Sequence, residues 1–124
     1  MSDSRSIVAV VDDDVSVRES LPDLVRELGF SAQAFASAAE LLASDCLGEI
    51  RCLIVDVEMP GMSGLELLHK VKHRGYAIPI VFISGHRSAA LRRRLMEEGA
   101  AECLFKPFTP DALHDSIEVA LRTG

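Results

Sequence analysis

Residues 51–61 read Arg51-Cys52-Leu53-Ile54-Val55-Asp56-Val57-Glu58-Met59-Pro60-Gly61. Four apolar residues, Cys52 to Val55, run straight into one carboxylate. The run is too short for an ordinary helix and is rich in branched side chains, so it reads as a strand buried on both faces. Glu58-Met59-Pro60-Gly61 stops it, because proline and glycine punctuate a turn. Asp56 therefore falls at the carboxyl end of a buried strand, the edge where ligands bind in open α/β sheets. Asp56 could equally cap its own loop, since Asp favours turns. The other strands have to decide between these readings.

Working outward, residues 6–11 form a second apolar run, which ends in Asp12-Asp13-Asp14. Three adjacent acids repel one another unless something positive sits beside them. Asp14 or Ser16 can cap a following helix. That leaves Asp12 and Asp13 unexplained by capping. Residues 15–28 carry Val17, Leu21, Leu24, Val25 and Leu28 on one helical face, and Gly29 ends it. Pro22 conflicts with a regular helix there, so a kink or a lost hydrogen bond is expected. Residues 30–35 alternate as a strand at a sheet edge. Ser37 with Glu40 forms a capping box, opening a helix that Leu41, Leu42 and Cys46 continue.

Beyond the central strand, Leu65, Leu67, Leu68 and Val71 mark a third helix. It ends in His69-Lys70-Val71-Lys72-His73-Arg74-Gly75, cations placed where the helix dipole favours them. Residues 78–83 make another apolar strand with Pro79 near its start. That strand ends in Ser84-Gly85-His86. Residues 88–98 form a helix bearing Arg92, Arg93 and Arg94, closed by Gly99. Residues 101–105 are the last strand, ending in Lys106-Pro107. Residues 110–122 form the closing helix, with Leu113, Ile117, Ala120 and Leu121 inward. Five strands alternating with five helices predict a flavodoxin-like, doubly wound (βα)5 fold with a five-stranded parallel sheet in order 2-1-3-4-5.

Composition limits the function. A chain of 124 residues is one expected domain, residues 1–124. Its net charge of −6 argues against direct binding of nucleic acid by this domain. No apolar run approaches the ~18 residues that span a membrane. The N-terminus shows no signal-peptide pattern. Cys46, Cys52 and Cys103 have no C-x-x-C spacing and read as reduced, mostly buried thiols, which suits a cytoplasmic protein.

Four strands thus end in chosen polar residues: Asp12 and Asp13, Asp56, Ser84 and Lys106. Together they make a site rather than four accidents. Clustered carboxylates with few other ligands suit Mg2+. An Asp carboxylate can itself be a nucleophile that forms an aspartyl-phosphate. Lysine and serine can hold phosphoryl oxygens.

These segments resemble the receiver domain of a two-component response regulator. The resemblance rests on Val10-Val11-Asp12-Asp13-Asp14, Leu53-Ile54-Val55-Asp56-Val57-Glu58-Met59-Pro60-Gly61-Met62-Ser63-Gly64, Val81-Phe82-Ile83-Ser84-Gly85-His86 and Phe105-Lys106-Pro107-Phe108. The wording is similar to receivers of the FixJ type, which precede a helix-turn-helix DNA-binding domain. The resemblance implies that Asp56 accepts a phosphoryl group from a sensor histidine kinase. It implies that Asp13, Asp56 and the Glu58 backbone carbonyl bind Mg2+, with Asp12 acting through water. Lys106 would neutralise the phosphoryl group, Ser84 would bond and report it, and Gly85 would keep the approach open. Lys106-Pro107 would be a cis peptide. It further implies homodimerisation on phosphorylation, and control of transcription through an output domain outside this chain, or else a stand-alone regulator. Such a domain catalyses only its own phosphorylation and dephosphorylation. A rival reading is a small Mg2+-dependent phosphohydrolase of the haloacid dehalogenase type, which also uses an Asp nucleophile. Two departures stand out. Receivers carry Tyr or Phe three residues before the site lysine, where this chain has Cys103. Glu58 and His86 would overhang the site and bear on water attack.

Overall fold

The computed structural model describes residues 7–59 and 61–123; Pro60 and the segment before Ile7 lie outside the described residues. The strands are β1 (Ile7–Val11), β2 (Ser31–Phe35), β3 (Ile50–Asp56), β4 (Ile80–Ser84) and β5 (Glu102–Phe105). The helices are α1 (Val15–Glu27), α2 (Ala38–Leu42), α3 (Gly64–His73), α4 (Ala89–Glu97) and α5 (Pro110–Thr123). All strand pairs are parallel, in the order β2-β1-β3-β4-β5. This is the doubly wound topology the sequence predicts.

The apolar runs of β1, β3 and β4 are continuous because both faces are covered. Successive side chains point to opposite faces. Ala9, Val11, Leu53, Val55 and Phe82 pack in one core with Leu41, Leu67, Leu68, Val71 and Leu95, from α2, α3 and α4. Their strand neighbours Val8, Val10, Cys52, Ile54, Val81 and Ile83 pack in a second core with Leu21, Val25, Leu113, Ile117 and Ala120, from α1 and α5. A one-residue slip in β3 would exchange its two faces and leave neither core filled.

Local chemistry explains the ends. Asp14 caps α1, accepting from the Ser16 N–H at 2.8 Å. Gly29 closes it with φ 103°, a left-handed conformation that costs glycine little. Pro22 sits within α1 and is buried; the helix continues through it, without the one hydrogen bond that proline cannot donate. Ser63 and Glu66 form a reciprocal capping box on α3.

Helix α2 is shorter than expected. It ends at Leu42, and Cys46 lies outside it, before a 3-10 turn at Leu47–Glu49. The Ser44 hydroxyl accepts from the Cys46 N–H at 3.1 Å, a side-chain turn that competes with the helix. At its start, the Glu40 carboxylate accepts from Ala36 rather than Ser37, so the box closes one residue early.

The basic end of α3 does more than meet its own dipole. Lys72 Nζ donates to the Glu98 carbonyl at 3.0 Å, and His69 Nε2 bonds the Glu98 carboxylate at 2.8 Å. Arg74 donates to the Leu42 carbonyl at 2.7 Å. Lys72 and Arg74 therefore satisfy carbonyls at the carboxyl ends of α4 and α2, where backbone groups lack helical partners.

Gly64 has a packing reason. A Cβ there would lie 2.8 Å from the Phe82 ring and 3.1 Å from the Asp56 carbonyl, so only glycine lets α3 start this close to the end of β3.

Two substitutions separate the forces on α3. Ser63→Ala should cost about 1 kcal/mol as a lost cap. Leu67→Ala, at a position with no exposure, should cost about 2–5 kcal/mol. Urea unfolding measures both; equal losses would contradict the view that burial dominates the docking of this helix.

Candidate functional site

The doubly wound topology brings the ends of β1, β3, β4 and β5 to one edge. Asp12 follows β1 and is 2% exposed. Its N–H donates to the Phe35 carbonyl at 3.2 Å. Its Oδ1 accepts from the Asp14 N–H at 2.9 Å, and its carbonyl accepts from Arg18 at 3.0 Å. The acidic turn is thus pinned at three points. Asp13, beside it, is exposed. Asp56 ends β3, half-buried, with Oδ1 accepting from the Glu58 N–H at 2.9 Å. Asp12, Asp13 and Asp56 each offer a carboxylate oxygen, all within 4.8 Å of one another.

This crowding has an electrostatic cost. Burial raises the Asp56 carboxyl above its ordinary range, and the charges of Asp12 and Asp13 push the same way. The Glu58 N–H and Lys106 oppose it. Burial likewise raises Asp12, with the Asp14 N–H and Lys106 opposing. Lys106 therefore belongs to the cluster. Its N–H donates to the Ser84 carbonyl at 2.9 Å, which aligns the ends of β5 and β4. The Lys106-Pro107 peptide is cis, as expected.

Ser84 is fully buried. Its hydroxyl accepts from the His86 N–H at 3.0 Å and donates to the His86 carbonyl at 3.3 Å. Gly85 faces open space: a Cβ there would meet nothing within 4 Å. Cys103 is 4% exposed within the core, and burial raises its thiol pKa.

The sequence singled out Asp12, Asp13, Asp56, Ser84 and Lys106, and the fold brings these residues to one edge. It missed three contacts around them. Glu58 and His86 do not overhang separately; their side chains meet, His86 Nε2 lying 3.1 Å from Glu58 Oε2. Arg18 reaches back to Asp12. Arg87 lies over the Phe105 ring, 5.9 Å from its centroid. Only the Arg18 contact had a sequence signal, as a cation in the first turns after the acids.

Hard carboxylate oxygens, close together and with one opposing cation, are a donor set that fits Mg2+. Fold and site together define a flavodoxin-like α/β domain with an acidic cluster on the carboxyl edge of its sheet. Within that class the chain belongs to the response regulator receiver domain family, whose model matches residues 8–118. It is 40% identical over 122 residues to the response regulator protein TodT of Pseudomonas putida, covering 98% of this chain and 54% of TodT. It is 38% identical over 114 residues to the transcriptional regulatory protein FixJ of Azorhizobium caulinodans, covering 92% of this chain and 54% of FixJ. The crystal structure of FixJ-N superposes with a TM-score of 0.85 at 33% identity, covering 98% of this chain and 96% of that one. The chain spans about half the length of the curated relatives it matches. Receiver domains are signalling domains of two-component systems and generally bind Mg2+ at an acidic pocket. The phosphohydrolase alternative gains no support from these matches. Among the described residues, no helix is long and apolar enough to cross a membrane.

The raised carboxyls fix the sign of a pH effect. A carboxyl whose folded pKa exceeds its unfolded value contributes most below the ordinary value of 3.8. That contribution is lost as pH rises through the raised value. Without divalent cation at neutral pH, Asp56→Asn should therefore raise the melting temperature by a few degrees. The gain should shrink as pH falls toward the ordinary carboxyl range. Calorimetry across that range checks it; a gain that grows on acidification would contradict the assignment.

Proposed function

We propose that this chain is a phosphorylation-controlled switch that accepts a phosphoryl group on Asp56 from a sensor histidine kinase. The observation that carries this reading is the half-buried Asp56 within 4.8 Å of two further carboxylates at a strand edge, with Lys106 acting on it electrostatically.

Each residue then has a task. Asp56 Oδ attacks the phosphorus of a phosphohistidine. The P–N bond breaks, its electron pair returns to the imidazole, and the imidazole takes up a proton. The Glu58 N–H holds one Asp56 oxygen and so leaves the other to react. Lys106 offsets negative charge on the phosphoryl oxygens, and Ser84 supplies a hydroxyl once it turns from His86. Asp13, Asp56 and the Glu58 carbonyl, with Asp12 acting through water, would hold Mg2+, whose charge would offset repulsion between carboxylate and phosphoryl group. The reading extends to a cytoplasmic setting. It extends also to dimerisation on phosphorylation, and to transcriptional output through a domain beyond this chain. The names of the matched transcriptional regulators support that last step.

Intact-mass measurement after treatment with a small phosphodonor and Mg2+ tests the acceptor. One phosphoryl adduct is expected on the parent and none on Asp56→Asn; equal labelling of the two would refute Asp56. A separate measurement tests the metal. At a concentration of 100 times its Kd, Mg2+ should stabilise the fold by about 2.7 kcal/mol. Asp13→Asn should remove most of that gain, and a parent melting temperature indifferent to millimolar Mg2+ would count against the metal site.

A further inference from the structure

Helix α4 is held unlike the others. Of its nine residues only Leu95 is buried, with Leu91 and Met96 half-buried against the same core, a narrower apolar face than those of α1, α3 and α5. Polar contacts hold the rest of it. At its carboxyl end, His69 and Lys72 of α3 grip Glu98. Along its length, Arg92 pairs with Glu102 of β5 at 2.5 Å, and the same carboxylate oxygen accepts the Cys103 N–H at 3.0 Å. At its amino end, Arg87 lies over the Phe105 ring of β5, within the ~6 Å reach of a cation–π contact. Arg87 is exposed and Phe105 half-buried.

The amino end is tied to the site through one peptide unit. The Ser84 hydroxyl has a single hydrogen, and it is given to the His86 carbonyl. That carbonyl belongs to the planar peptide joining His86 to Arg87. If Ser84 donates to a phosphoryl oxygen on Asp56, the carbonyl loses its partner and the peptide is free to rotate, carrying Arg87 with it. Cys103 cannot relay this movement, because a buried thiol has no ring to swing.

We propose that Arg87 and Phe105 form the latch of this switch: Arg87 covers the Phe105 ring while Asp56 is free and leaves it when Asp56 is loaded. This deepens the phosphoryl-acceptor reading and rests on it. Release uncovers one side of the half-buried Phe105 ring between α4 and β5. The grip of α3 on Glu98 keeps the far end of α4 in place, so the displacement is greatest at Arg87 and smallest at Glu98.

The test is NMR of the parent chain, free and with beryllofluoride plus Mg2+ as the phosphoryl mimic, with bound mimic counted by mass. In the free chain, the Arg87 side-chain protons should be shifted upfield by the Phe105 ring, and Phe105→Leu should abolish that shift. In the loaded chain the shift should collapse. Removing the latch should also favour the loaded state. Arg87→Gln and Phe105→Leu should each speed labelling of Asp56 by a small phosphodonor about two- to fivefold. The double variant should gain no more than the larger single. An upfield shift that survives loading, or rates unchanged in both variants, overturns the latch while leaving the acceptor intact. Failure of the parent to bind the mimic or to label at Asp56 overturns both.

Discussion

Strand β3 has to be buried on both faces, and most of the molecule follows from that requirement. Cys52 and Ile54 face α1 and α5, while Leu53 and Val55 face α2, α3 and α4. A strand of this kind needs a parallel neighbour on each side and a helical layer on each face. It receives β1 and β4, in registers that pair Val11 and Phe82 with Val55. The same register sets Asp56 beside the residue that follows β1. The Asp56 carboxylate is therefore placed chiefly by the hydrophobic packing beneath it, while the Glu58 N–H fixes one of its oxygens.

At that edge the fold retains a charge conflict. Asp12 and Asp56 are both raised by burial and by their acidic neighbours, and Lys106 offsets only part of this. Functional sites are where such perturbed groups gather. A cluster short of positive charge gains by holding a cation, and the proposed phosphoryl transfer to Asp56 draws on that gain. Pinning of Asp12 through Phe35, Asp14 and Arg18 keeps the acids together despite their repulsion.

Around this edge, α4 has the fewest buried side chains of the five helices, Leu95 with Leu91 and Met96 half-buried beside it. Its polar ties to α3 and β5 can be exchanged at little cost, because exposed ion pairs and cation–π contacts contribute only about 1 kcal/mol each or less. Leu41, Leu67 and Leu113 show no exposure and anchor α2, α3 and α5 in a way surface charges do not. The proposed signal from Ser84 would thus meet less buried apolar surface in α4 than in the sheet.

Local pattern was enough for much of this. Branched apolar runs gave the strands, and the 3.6-residue spacing of Leu21, Val25 and Leu28, or of Leu113 and Ile117, gave the helices. Glycine and proline marked the boundaries. The ends of β1, β3, β4 and β5 were legible because a buried run stops where a polar residue must reach water or a ligand. The sequence failed where a nearby side chain outbid the pattern, as Ser44 did in ending α2 before Cys46. It was silent on contacts between residues far apart in the chain. Nothing in the spacing joins His69 or Lys72 to Glu98, Glu58 to His86, or Arg87 to Phe105. Those partners meet only after the sheet has assembled, because the twist and order of its strands decide which loops become neighbours. The chemistry of the site was therefore written in the residues, whereas the restraints on its switching exist only in the packed fold.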